Sequence, residues 1–215
     1  MGALILGCGV ALTSDDWPKL ASASGSDVRE IPATPGKSDV DPLVRDFDGD
    51  RVVVHGTDAD LAAVVLRLLR RSRLDLPVAY VPLTRSPVAR LWTLPADPFS
   101  APPTPTPLIR DDSGGVLLGE GVLPAVNGTV YCDDEIPLRG PAHRVTVAPD
   151  LAGGPGLTLE IVTKSLLRRR RTTLTGRAAQ YGGAPVTPVR DGVAHPRPAK
   201  RWTWYRHTED LLACR

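Results

Sequence analysis

The chain has few cysteines, few aromatic residues and no long apolar run. Its three cysteines, Cys8, Cys132 and Cys214, are scattered, which excludes a disulfide framework and a zinc site built from closely spaced ligand pairs. The apolar opening, residues 1–12, is shorter than the roughly 20 residues of a membrane-spanning helix, and no basic residue precedes it. We therefore expect buried thiols, no metal site and no export signal, in a cytoplasmic protein.

An excess of either charge is also lacking, since 26 basic and 24 acidic side chains give a formal net charge of +2. Together with 42% hydrophobic residues, this balance indicates a folded protein and argues against nucleic acid as a partner. Basic residues are nevertheless clustered in the run Arg168, Arg169, Arg170 and Arg171. Such a run is either a solvated turn or a contact for an anionic partner. A lipid or membrane surface, which would place the protein at the inner membrane face, and a protein partner both stay open.

The first half of the chain alternates strand and helix signals. Candidate strands occur at 3–7, 27–32, 51–56 and 77–83. Runs of β-branched residues without polar alternation are typical of strands covered on both faces of a parallel sheet. Residues 58–75 place apolar side chains on one helical face, namely Leu61, Val64, Val65, Leu68 and Leu69. The pattern predicts a βαβ unit whose helix is capped by Thr57 or Asp58.

The second half of the chain has a different pattern. Five prolines within 96–107 predict a linker at 101–107 after a first lobe at 1–100. Short β-rich runs separated by Gly, Pro and Asp then predict an antiparallel sandwich over 108–215. Only residues 161–171 also fit a short helix. The expected fold class is an α/β lobe with a parallel sheet, followed by a C-terminal antiparallel β-sandwich lobe.

Two strand-to-helix connections in the first lobe carry residues suited to phosphate. A turn that leaves a strand and opens a helix gathers backbone N–H groups and the positive end of the helix dipole. A simple chain reversal is the alternative interpretation of the same pattern. In a parallel sheet both connections emerge at the carboxyl edge, where ligands of open α/β folds bind. The candidate nucleotide-binding residues are Gly56, Thr57, Asp58, Thr84, Arg85 and Ser86.

These connections resemble the two signature segments of the diacylglycerol kinase catalytic domain, the lipid-kinase family that includes sphingosine kinases. The family's Gly-Gly-Asp-Gly-Thr is similar to the turn at Gly56 and Asp58, and its Pro-Leu-Gly-Thr-Gly-Asn-Asp-Phe-Ala-Arg to residues 82–90. Residues 155–162 and 189–193 resemble two segments of the family's C-terminal domain, in the same order. The resemblance implies a fold like that of NAD and diacylglycerol kinases, and ATP-dependent phosphorylation of a lipid hydroxyl. ATP and Mg²⁺ would be the cofactors of an active enzyme.

Several family positions hold other residue types in this chain. Thr57, Ala59 and Asp60 replace two glycines and the threonine, and each side chain narrows the approach of a triphosphate. Val193 stands where the resemblance implies a glutamate that deprotonates the lipid hydroxyl, which leaves Asp191 as the candidate base. Two hypotheses follow. One is an ATP-dependent lipid kinase with altered loops, and the other is a non-catalytic binding or scaffolding protein with a degenerate ATP-binding motif.

The C-terminal segment 197–210 interleaves basic and aromatic residues. On a strand, Trp202 and Trp204 share one face. Such a face either stacks nucleic-acid bases or lipid, or covers a hydrophobic core. We favour the core interpretation.

Overall fold

The structure, a computed structural model, describes residues 2–165 and 168–215. The chain forms two compact units, Met1–Thr106 with Glu209–Arg215, and Pro107–Thr208. The expectation of a C-terminal lobe over 108–215 is therefore wrong for residues 209–215, which join the first unit. No helix in the described ranges is long and apolar enough to cross a membrane.

The first unit is an α/β layer structure. Its strands are β1 (Ala3–Cys8), β2 (Asp27–Ile31), β3 (Arg51–Gly56), β4 (Val78–Pro82), β5 (Pro103–Thr106) and, from the chain end, β16 (Leu211–Cys214). Its helices are α1 (Trp17–Ala21), α2 (Lys37–Val44), α3 (Asp58–Arg70) and α4 (Pro87–Trp92), with a 3₁₀ helix at Gly9–Thr13. The sheet order is β2-β1-β3-β4-β16-β5. All neighbouring strands are parallel except β16 and β5, which are antiparallel.

The predicted βαβ unit is confirmed. Strands β3 and β4 pair in parallel with Val52 opposite Val78, and α3 connects them. Val52, Val53 and Val54 are fully buried because neighbouring strands and packed layers cover the middle of this sheet. The apolar face of α3 is buried as well, which fixes the position of the turn that precedes it.

The proline-rich segment expected to be a linker contains strand β5 instead. Pro103–Thr106 lies at the edge of the first sheet, paired with β16 only. An edge strand tolerates proline because one side of its backbone needs no hydrogen-bond donor. Strand β16 lies between β4 and β5, and its Leu211, Ala213 and Cys214 are fully buried.

The second unit is antiparallel β structure, as predicted. Its strands are β6 (Ile109–Asp111), β7 (Val116–Leu117), β8 (Gly121–Cys132), β9 (Glu135–Pro149), β10 (Leu157–Ser165), β11 (Arg168–Gly176), β12 (Ala178–Val186), β13 (Val189–Arg190), β14 (Val193–Ala194) and β15 (Ala199–Arg206). They belong to one ten-stranded sheet with the path β11-β10-β9-β8-β12-β15-β6-β7, to which β13 and β14 attach through β8. The helix considered at 161–171 is wrong for residues 161–165 and 168–171, which lie in the antiparallel neighbours β10 and β11. Residues 166 and 167 lie outside the described residues.

The tryptophans of β15 belong to the core of the second unit, as favoured from the sequence. Trp202 and Trp204 are 4% and 2% exposed and meet edge to face, with ring centroids 6.1 Å apart. Their rings are therefore covered by the sheet and are not presented to a nucleic-acid base or a lipid surface.

Candidate functional site

The turn between β3 and α3 is closed by a reciprocal cap. The Thr57 hydroxyl oxygen accepts a hydrogen bond from the Asp60 backbone N–H at 3.2 Å. The Asp60 carboxylate accepts the Thr57 backbone N–H at 2.8 Å and the Thr57 hydroxyl at 2.7 Å. This capping box satisfies N–H groups that a helix end otherwise leaves open. Of the two capping residues expected, Thr57 holds the cap position.

Asp60 also binds the segment between β2 and α2. Its second carboxylate oxygen accepts the Thr34 backbone N–H, which follows β2, at 2.6 Å. The Asp60 residue is 2% exposed, so the carboxylate is buried between the two connections. A negatively charged group of the protein thus stands at the N-terminus of α3, where the sequence pattern predicted a phosphate.

Gly56 makes room for that carboxylate. A β-carbon added to Gly56 would lie 2.8 Å from Asp60 Oδ2 and 3.0 Å from the Asp60 β-carbon. Contacts this short are not tolerated, so a larger residue would displace Asp60. The glycine that was interpreted as space for a phosphate accommodates an internal side chain.

Asp58 joins the two predicted nucleotide-binding connections. One carboxylate oxygen accepts the Tyr80 hydroxyl at 2.8 Å and the Ser86 hydroxyl at 2.6 Å, and the other accepts the Val88 backbone N–H at 3.1 Å. Burial, and then the charge of Asp58, raise the pKa of Tyr80, which therefore stays protonated and donates. Asp58 is 5% exposed, so its carboxylate is a structural centre.

The β4–α4 connection contains both buried and open candidates. Ser86 caps α4 by accepting the Ala89 backbone N–H at 3.1 Å while it donates to Asp58. Thr84 and Arg85 are exposed. Four of the six candidate residues, Gly56, Thr57, Asp58 and Ser86, thus make internal hydrogen bonds. Thr57, Thr84 and Arg85 are the exposed ones among the six. Nucleotide binding by any of the six stays a prediction.

A buried histidine that the sequence analysis missed lies beside this turn. His55 is fully buried, and its Nδ1 lies 2.8 Å from the Val81 carbonyl oxygen. Since a carbonyl oxygen only accepts, a neutral ring would carry its proton on Nδ1 and would accept the Ser14 hydroxyl, 2.6 Å away, at Nε2. The ring also stacks on Trp17 at 6.3 Å between centroids. A polar residue within the apolar run 52–56 was the available signal, but its partner lies 41 positions away.

Asp191, the candidate base, is a structural carboxylate of the second unit. It accepts the backbone N–H groups of Leu118, Gly119 and Glu120 at 2.9, 2.8 and 3.0 Å and is 5% exposed. A general base must reach the proton that it removes. These bonds favour a role in holding the 118–120 connection.

At the α3 turn, the residues present do not fit the nucleotide phosphate that the resemblance implied. The Thr57 backbone N–H already donates to the Asp60 carboxylate, so a nucleotide phosphate at this turn would compete with that carboxylate for the same donor. Within residues 2–165 and 168–215, no group of three or more His, Cys, Asp or Glu side chains is arranged to hold a metal ion.

Solved structures of two kinds of kinase share this architecture. An NAD kinase from Archaeoglobus fulgidus, in complex with ATP, matches 100% of this chain and 94% of its own length, with a TM-score of 0.63 and 13% identity. The chain has the NAD kinase and diacylglycerol kinase-like fold. Two structures described as candidate diacylglycerol kinases from Bacillus anthracis strain Sterne give TM-scores of 0.65 and 0.64 at 12% and 11% identity. Each match covers 99% of this chain, and 96% and 97% of the respective neighbour. No protein-family model and no curated protein matches the sequence.

This NAD kinase and diacylglycerol kinase-like fold confirms the predicted order of an α/β lobe and a β lobe. The low identities show the fold alone, and they say nothing of the substrate or activity of this chain.

Proposed function

We propose that this protein is a non-catalytic binding protein that has kept a kinase-like fold and does not transfer phosphate from ATP. The observation that carries the proposal is the buried Asp60 carboxylate on the backbone N–H groups of Thr34 and Thr57. These are donors of the kind that a phosphate at a helix N-terminus needs.

Electrostatic magnitudes support the same conclusion. Two like unit charges 4 Å apart repel by about 4 kcal/mol at an effective dielectric constant of about 20. One hydrogen bond to a charged group contributes about 1.5–3 kcal/mol. A phosphate placed against Asp60 would therefore lose more free energy by repulsion than a single hydrogen bond to one further N–H group would return. Asp60 also complements the dipole of α3, so the helix end has little residual attraction for an external anion.

An ATP-dependent lipid kinase is the second candidate, and the exposed loop of Thr84 and Arg85 favours it. A guanidinium can bind phosphate through two hydrogen bonds and so replace lost backbone donors. Positioning and charge stabilisation account for most of phosphoryl transfer, so an altered set of residues is compatible with that chemistry. In this alternative Arg85 would hold the nucleotide phosphates.

A phosphotransfer assay distinguishes the two candidates. The full chain is incubated with Mg²⁺ and ATP labelled on the γ-phosphate, with diacylglycerol, sphingosine or NAD as acceptor. The proposal predicts no labelled product above the signal of a protein-free blank. Labelled product that disappears in the Arg85→Ala variant would overturn it and support the kinase.

A further inference from the structure

The second unit has a charged groove on the outer face of its sheet. Cross-strand pairing puts Val162 of β10 opposite both Arg144 of β9 and Arg171 of β11. Because side chains alternate along a strand, these three residues share one face, while Leu159 and Ile161 turn to the core on the other. The polar face is therefore continuous across three neighbouring strands.

This face encloses a groove of about 640 Å³. Its charged lining consists of Glu120, Arg144, Glu160, Arg169, Arg170 and Arg171. Among these charged side chains, four arginines against two glutamates give a net charge of +2. The volume lies within the range of roughly 300–1,000 Å³ that small-molecule sites occupy.

Two of the arginines are held in place by the carboxylates. Arg171 forms an ion pair with Glu160 at 3.1 Å, and Arg144 forms one with Glu120. Arg144 also donates to the Thr146 hydroxyl at 3.1 Å. These contacts leave further guanidinium donors available, because each guanidinium carries five N–H groups.

Arg169 faces another cation across the strand pair. It lies directly opposite Lys164, and both side chains are exposed. Like charges directly opposite each other destabilise a strand pair. Neither side chain forms an ion pair with a residue of 2–165 or 168–215, so an external anion would relieve the repulsion.

We propose that this groove binds a soluble, phosphate-bearing small molecule through Arg144, Arg169 and Arg171. Guanidinium groups match the geometry of phosphate oxygens and bind them through paired hydrogen bonds. A soluble ligand fits better than a membrane, because the cations line a concavity that a flat bilayer would meet only at its rim. All residues that line the groove belong to the second unit, so binding there does not depend on whether the protein transfers phosphate.

Equilibrium dialysis of the full chain with inorganic pyrophosphate tests the groove. The pair Arg169→Ala and Arg171→Ala removes two lining cations, and the pair Arg139→Ala and Arg177→Ala removes two exposed cations that do not line it. We expect the first pair to weaken pyrophosphate binding at least about tenfold, because two hydrogen bonds to a charged ligand are lost. The control pair should bind within about twofold of the native protein if long-range charge is screened by salt.

Vesicles provide the second arm. Phosphatidylcholine vesicles that contain phosphatidic acid are sedimented with each protein. Pyrophosphate binding that is lost only in the groove pair supports the proposal, provided that circular dichroism shows both variants folded. Absent pyrophosphate binding, equal loss in both pairs, or binding to vesicles alone overturns it.

Discussion

The backbone N–H of Thr34 donates a 2.6 Å hydrogen bond to the carboxylate of Asp60, across 26 positions of the chain. Thr34 has a φ of 44°, a left-handed conformation that β-branched residues rarely adopt. The bond therefore holds a strained connection after β2 against the N-terminus of α3. The Asp60 carboxylate thus occupies the turn where the sequence predicted a phosphate.

Replacement of Asp60 by alanine should destabilise the first unit. The backbone N–H groups of Thr34 and Thr57 would lose their acceptor, at a cost of about 2–3 kcal/mol in the free energy of unfolding. Asp39 is a matched control, because it holds the same third position in α2 and accepts the Gly36 N–H at 2.7 Å on an exposed surface. Asp39→Ala should cost about 1 kcal/mol or less. Equal losses in urea unfolding would contradict the central role of Asp60.

The Asp58 centre should show coupled effects of its two hydroxyl donors. Tyr80 and Ser86 donate to the same carboxylate oxygen. We expect Tyr80→Phe and Ser86→Ala each to cost about 1–2 kcal/mol and the double variant to differ from their sum by at least about 0.5 kcal/mol. Urea unfolding of the four proteins in the cycle measures this coupling. Strict additivity would show that the two hydroxyls act independently.

The ion pair between α2 and α3 should make stability depend on pH. Arg67 donates to both carboxylate oxygens of Asp41 at 2.7 and 2.8 Å, and these bonds lower the pKa of Asp41 below its ordinary 3.8. The ionised form is therefore favoured in the folded state. Its contribution is present above the ordinary pKa and is lost as the pH falls through the lowered value.

The matching experiment is urea unfolding of Arg67→Ala at about pH 7 and about pH 3. The variant should be less stable than the native protein by about 1.5–3 kcal/mol at the higher pH, with a smaller difference at the lower. Arg45→Ala, at an exposed position, serves as control and should show little difference at either pH. A difference that is independent of pH would contradict the assignment.

The hydrogen bond from Ser14 to His55 should stabilise the end of β3, beside the turn into α3. Ser14→Ala leaves the Nε2 of a fully buried ring without its donor, which should cost about 1–3 kcal/mol. Ser22 offers a matched serine, since its hydroxyl donates to the Lys19 carbonyl on an exposed helix end. The thermal unfolding midpoint should fall further in Ser14→Ala than in Ser22→Ala. Similar midpoints would show that the bond to His55 does not stabilise the fold.

Local patterns in the sequence predicted much of the first unit. The strand at 51–56, the apolar face of α3 and the cap at Thr57 all depend on residues close in sequence, which is why periodicity and capping rules reach them. Short β-rich runs separated by Gly, Pro and Asp indicated the strands of the second unit, although a helix was also considered at 161–171.

Contacts between distant segments could not be predicted in this way. The insertion of β16 beside β4 depends on residues more than 100 positions apart, and nothing local distinguishes it from a strand of the second unit. For the same reason, the sequence did not predict that the Asp60 carboxylate fills the turn between β3 and α3. Asp60 was recognised as a departure from the family pattern, but its bond to Thr34 depends on where β2 ends.

The most direct measurement is the melting temperature of the Arg169→Ala, Arg171→Ala variant during titration with ATP and Mg²⁺. The two substitutions remove arginines of the groove in the second unit, so that ATP bound there does not raise the melting temperature. The account predicts no rise at millimolar ATP. A bound nucleotide at about 100 times its dissociation constant would instead add about 2.7 kcal/mol of stability. A saturable rise that disappears on Arg85→Ala would show that the α3 edge of the sheet still holds a nucleotide, and would contradict the account.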